Sequence, residues 1–160
     1  GQGSNMERYA ISRNDLIARL QVARPQQMVI CLEACFNGGT NEGGGKHIYT
    51  QANMSAPMLE DDVSATSFRG NIVLLTASSG SQSAHAMPQG AHNLFTYQLM
   101  KAIKESGDNA TWGDIFRKAS IATQDYSQLE MRHSKAQTPS SIPSSTLGDA
   151  WESWKLRNEQ

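Results

Sequence analysis

Cys35 follows the apolar run Met28, Val29, Ile30, Cys31 and Leu32 by two residues, and Phe36, Asn37, Gly38 and Gly39 come directly after it. A thiol at the exit of an apolar strand, with glycines next to it, is placed for nucleophilic chemistry. The chain can turn sharply there and leave backbone N–H groups free to hold a developing oxyanion. The competing reading of the same residue is a buried, inert thiol, a common fate for cysteine. Cys31, the only other cysteine, lies four residues earlier. On an extended chain that spacing separates the Cα atoms by roughly 13 Å, beyond disulfide reach, so both are expected to be free thiols. Neither has a His at ligand spacing, so no metal site is expected.

The elements that would position Cys35 follow from periodicity. Residues 28–32 lack polar alternation and read as a parallel-sheet strand buried on both faces. Its carboxyl end is where an open α/β sheet presents its chemistry. A helix over 12–24 precedes it, with Ser12 and Asp15 as a capping pair, Leu16, Ile17 and Leu20 on one face and Pro25 ending it. After Cys35 comes a long glycine-rich and polar segment, 37–70, without sustained period. Loops of that length in a compact domain are normally functional or mobile. Residues 71–77, Asn-Ile-Val-Leu-Leu-Thr-Ala, form a second apolar strand, followed by a loop over residues 78–92 that opens Ser78-Ser79-Gly80. A helix over 93–106 places Phe95, Leu99, Ala102 and Ile103 on one face, with Gly107 as its expected cap. Thr111 and Asp114 open another by a capping box. The Ser/Pro-rich tail ends in Trp151, Trp154 and Leu156, spaced for a final turn packed on the body. Two parallel strands cannot stand alone, so the chain reads as the later part of a larger α/β domain.

Composition excludes several classes. The net charge is −1 over 160 residues, with 18% charged, which gives no basic excess for neutralising phosphates and argues against a nucleic-acid partner. No stretch reaches the apolar length of a membrane span and no basic-then-apolar leader opens the chain, so a cytoplasmic protein without a membrane partner is expected. Residues 37–46, Asn-Gly-Gly-Thr-Asn-Glu-Gly-Gly-Gly-Lys, do not make a phosphate-binding loop, because His47 stands where Ser or Thr is needed. No cofactor is indicated.

Residues 29–39, Val-Ile-Cys-Leu-Glu-Ala-Cys-Phe-Asn-Gly-Gly, resemble the nucleophile strand of caspase-like cysteine peptidases, in which an apolar strand ends in an acid or Gln, a small residue, the Cys and a nearby Gly. Glu33 in place of Gln brings the pattern closer to the metacaspase and bacterial caspase-like branch. It departs from that branch in having Glu33 for Asp and Asn37 for Ser. The stretches 71–85, 92–119, 136–141 and 151–156 resemble the next core strand with its substrate-lining loop, the following two helices, and the endings of bacterial members. Together they span most of the chain.

The resemblance implies a caspase-like α/β/α sandwich around a mostly parallel sheet, with residues 1–160 as one catalytic domain, incomplete at its N-terminus. It implies a thiol endopeptidase acting on peptide or protein substrates through an acyl-enzyme on Cys35, whose own backbone amide helps hold the oxyanion. Glu33, Ser78 and Ser79 would contact substrate, and Glu33 would favour cleavage after Arg or Lys. As a zymogen the chain would be processed in the loop after Cys35, at Lys46 or Arg69. The dyad His should lie before the Cys, yet residues 1–34 contain none; His47, His85, His92 and His133 all follow it. A His on an N-terminal segment or chain of the same domain is therefore the expected partner. A non-catalytic caspase-like binding or scaffolding module is the alternative.

Overall fold

Ile72, Val73, Leu74, Leu75 and Thr76 form a strand with every residue buried. Such a segment needs neighbours on both edges and cover on both faces, and it obtains all four. In the computed structural model, residues 13–33, 68–79, 82, 84–87, 92–130 and 136–156 are described. Here β1 is Met28–Leu32, β2 is Ile72–Thr76 and β3 is Ser140–Pro143. β1 pairs with β2 in parallel, Met28 opposite Ile72 and Leu32 opposite Thr76. β3 pairs with the other edge of β2 antiparallel, Val73 opposite Pro143 and Thr76 opposite Ser140.

The pleat of β2 divides the core into two layers. Ile72 and Leu74 pack with Ile30, Phe68 and Ile17, the last carried by α1 (Arg13–Gln21). Val73, Leu75 and Ala77 face the opposite way, onto Phe95, Leu99 and Ala102 of α2 (Leu94–Glu105) and Ile115 and Ala119 of α3 (Trp112–Asp125). The protein is thus α/β, with helices on both faces of a mixed sheet. Full burial of each Val or Leu side chain in β2 contributes about 1.5–3 kcal/mol. Trp151 and Trp154, from the 3₁₀ turn Gly148–Ser153 and its exit, close the second layer. The Phe116 ring meets Trp151 edge-on at 5.7 Å and Phe95 at 6.2 Å.

Several expectations change. β1 is not buried on both faces: only Ile30 is buried, and Cys31 is exposed. The reason is that β1 has a strand neighbour only on its β2 side among the described residues. Among the described residues the sheet is mixed, with one parallel and one antiparallel pair, because the segment 140–143 supplies a third strand that runs the other way. Gly107 does not cap α2. Ser106 ends the helix in extended conformation, its N–H donating to the Ile103 carbonyl and its hydroxyl to the Ala102 carbonyl. The Thr111 box is present: Thr111 Oγ1 accepts from the Asp114 N–H at 3.2 Å and donates to Asp114 Oδ2 at 2.9 Å. α3 continues into a π-helical turn, Tyr126–Glu130.

Candidate functional site

The carboxyl ends of β1 and β2 lie side by side, with the Ala77 N–H donating to the Leu32 carbonyl at 3.1 Å. Glu33 leaves β1 at that level, and its side chain reaches the amino end of α2. Glu33 Oε2 accepts from the Thr96 N–H at 2.7 Å and from the Thr96 hydroxyl. The first N–H groups of a helix have no partner within it, and those of α2 have no local remedy. Asn93 makes no side-chain cap and the first turn holds no acid. Glu33 supplies that missing acceptor from another element, and its negative charge suits the positive end of the helix.

The other carboxylate oxygen, Oε1, is buried and has no donor among the described residues. Burial raises the Glu33 pKa, and the bonds from Thr96 offset only part of that rise. The site thus holds an acid with one oxygen fixed and one unmatched. Cys31 retains solvent-accessible area, yet the atoms crowding its sulfur and, secondarily, the neighbouring Glu33 charge push its thiol up to about 12. A thiol held there is a poor nucleophile near neutral pH.

Ser78 and Ser79 follow Ala77 at the end of β2. Ser78 is fully buried and its Oγ donates to the Gln82 carbonyl at 3.1 Å. Its hydroxyl shapes the loop from inside, so a direct substrate contact through Ser78 does not fit its burial. Ser79 is half-buried and donates to Gln82 Oε1 at 3.4 Å, which leaves it the more accessible of the two.

Arg69 lies at the opposite end of β2, where the bond it would offer to a protease is held on both sides. The Arg69 carbonyl accepts from Gln21 Nε2 at 2.7 Å, and the Gly70 N–H donates to Thr146 Oγ1 at 3.2 Å. Cleavage after Arg69 would first require these to open, since a protease needs the backbone free in extended form. Cys35 and Lys46 lie outside the described residues, as do His47 and His133.

Two residues of the site were not legible in the sequence. Gln137 is fully buried, and its Nε2 donates to the Ala77 carbonyl at 2.8 Å while its Oε1 accepts from the His85 N–H at 2.9 Å. Its own N–H donates to Ser127 Oγ at 2.9 Å. A single amide thus fixes the loop after β2. His85 is brought to the same place as Glu33, because its carbonyl accepts from the Leu94 N–H at 2.8 Å. In the sequence these two residues stand out only as parts of the stretches 71–85 and 136–141 that carry the resemblance. Among the described residues no group of three His, Cys, Asp or Glu could hold a metal ion, and no helix is long and apolar enough to cross a membrane.

Compared with family models, curated proteins and solved structures, the chain matches none.

Proposed function

We propose that the chain is the catalytic portion of a caspase-like cysteine endopeptidase that cleaves after Arg or Lys. The observation that carries this reading is Glu33. Two residues before Cys35 and at the carboxyl end of the parallel strand pair, it has one oxygen anchored on α2 and one buried oxygen unmatched. A guanidinium or ammonium from a substrate would complete that acid, and such charge-assisted pairing gives direction as well as affinity. Ser79, at the end of the adjoining strand, would border the same pocket.

In the proposed reaction the Cys35 sulfur, as thiolate, attacks the carbonyl carbon of the scissile peptide. The carbonyl oxygen takes the negative charge and is held by the Cys35 N–H. The leaving amine departs with a proton from a His acid, and a water, giving its proton to the same His, then hydrolyses the thioester and restores the thiol. Because residues 1–34 hold no His, that group is assigned to an N-terminal partner segment or chain of the domain. Strand β1, with an apolar composition and a neighbour on only one edge among the described residues, is where such a segment would join. Activation by cleavage in the loop after Cys35 is placed at Lys46, since the Arg69–Gly70 bond is tied down. Cys31 is a free thiol, which suits a reducing compartment, and a cytoplasmic location is part of this reading.

The test is expression from the complete coding sequence, as wild type and Cys35→Ala, with a fluorogenic peptide panel and an arginyl ketone that alkylates active thiols. The expected result is hydrolysis of Arg and Lys peptides over Asp peptides, lost in Cys35→Ala, with the label on Cys35. Hydrolysis that survives Cys35→Ala overturns the assignment. Absence of both turnover and labelling favours the non-catalytic module.

A further inference from the structure

At the amino ends of β1 and β2, opposite the carboxyl ends that carry Glu33, an open cleft of about 320 Å³ is lined by Gln21, Arg24, Pro25, Arg69, Asn71 and Ile72. Its walls are stitched together by side chains. Gln21 Nε2 donates to the Arg69 carbonyl at 2.7 Å, and Asn71 Nδ2 donates to the Gln26 carbonyl at 2.8 Å. Ile72, almost wholly buried, forms an apolar floor, and the space above Gly70 is open, with nothing within 4 Å of where a Cβ would stand. Among the described residues, the charged side chains on the lining are two arginines and no carboxylate. Neither arginine has an ion-pair partner among the described residues.

Arg24 is also the sole non-glycine described residue with positive φ, at 45°. That conformation costs about 1 kcal/mol or more for a residue with a Cβ, and here it precedes a proline. Helix capping does not require a cationic side chain at this point. The exposed carbonyls at the end of α1 are met by backbone, Leu20 by the Ala23 N–H at 3.2 Å and Gln21 by the Arg24 N–H at 3.0 Å. A strained turn thus carries one of the two arginines that line the cleft, and the approach to β2 carries the other.

We infer that this cleft binds a small ligand through a phosphate or carboxylate group, held between Arg24 and Arg69. Planar guanidiniums match both oxyanions by paired N–H donors, and the open cleft gives a small anion access to them. Neither arginine takes part in the proposed peptide-bond chemistry, so this site stands or falls independently of it.

The test is calorimetric titration of the full chain with pyrophosphate, a sugar phosphate and citrate, each against chloride of matched ionic strength. Wild type is compared with Arg24→Gln, Arg69→Gln and Lys104→Gln, the last lying on α2. Saturable binding is expected for at least one anion, weakened about tenfold or more, about 1.4 kcal/mol, by each arginine substitution and unchanged by Lys104→Gln. Phosphate-only or citrate-only binding identifies the group recognised. Circular dichroism confirms that the variants remain folded; if one does not, Arg24→Lys and Arg69→Lys replace it, which keep charge but lose the paired donors. The inference is overturned if no anion binds saturably beyond the chloride control. It is also overturned if the arginine variants bind like wild type, or if Lys104→Gln loses as much affinity as they do.

Discussion

Replacing Glu33 separates its two roles, capping α2 and carrying a partly buried charge. Glu33→Ala strips the acceptor from the Thr96 N–H and the Thr96 hydroxyl. Loss of a helix cap costs about 0.5–2 kcal/mol and a hydrogen bond to a charged group about 1.5–3 kcal/mol. Relief of the desolvated charge offsets part of this, so a net loss of about 1–2 kcal/mol is expected. Glu33→Gln keeps an acceptor oxygen for Thr96 and removes the charge, and at neutral pH should lie within about 1 kcal/mol of wild type. The pH dependence distinguishes the causes. Burial raises the folded pKa of Glu33 above its unfolded value, so between the two the folded state binds more protons and wild-type stability falls as pH rises. The favourable contribution is complete below the unfolded value, about 4.3, and lost on passing the raised folded one. Urea unfolding of both proteins, followed by tryptophan fluorescence at about pH 4 and about pH 7.5, should show wild type losing ground to Glu33→Gln as pH increases. A gap that moves the other way would refute the argument, because it would mean that the capping bonds outweigh burial and hold the carboxylate ionised.

Three further outcomes follow from packing and protonation. Iodoacetamide at about pH 8 should label Cys31 slowly, since a thiol pushed up to about 12 is ionised in only about one molecule in ten thousand. Mass spectrometry showing Cys31 modified ahead of Cys35 would contradict this. Gly113→Ala should destabilise by about 1–3 kcal/mol despite the better helix propensity of Ala, because the new Cβ would sit 2.7 Å from Glu152 Cβ and 2.8 Å from the Glu152 carbonyl oxygen. A rise in melting temperature would count against it. Gln137→Leu leaves the Ala77 carbonyl and His85 N–H without their partner and should cost at least about 2 kcal/mol in chemical denaturation, whereas a near-neutral result would show the loop after β2 to be fixed by other contacts.

The elements legible in the sequence were those whose signal is local. β1 and β2 are apolar runs of strand length, α2 and α3 carry apolar faces at helical spacing, and the Thr111–Asp114 box announces its own helix start. β3 was not legible because Ser140, Ser141, Ile142 and Pro143 show no alternation, with Ile142 the single strand-favouring apolar residue between serines and a proline. They become a strand through β2's unpaired edge and through the Thr76 and Ser140 hydroxyls, 2.8 Å apart. The same limit applies to the site. Glu33 could be singled out by its position before Cys35, but the helix it caps begins some sixty residues later. Gln137 sits in a stretch whose composition reads as loop, and only the fold brings its amide to Ala77 and His85. A polar side chain whose partner is distant in sequence leaves no periodic trace.

The order of strands in the sheet also has a temporal meaning. β2 is the strand that every other strand needs, yet its partners are remote: Met28 pairs with Ile72, and Val73 with Pro143. Closing such loops is entropically costly, and chains dominated by non-local pairing fold slowly. α2 and α3, by contrast, follow one another across a short link and pack together through Phe95 and Phe116, so that helical pair is the natural early nucleus. During synthesis β2 would emerge with β1 already waiting and β3 still unmade. One edge of this apolar segment would remain open until residues 140–143 arrive, and the face packed on α2 and α3 would lack its tryptophan cover until residues 151–154 follow. A nascent chain paused before that point presents an aggregation-prone strand, and the C-terminal tryptophans are then the pieces that end its exposure.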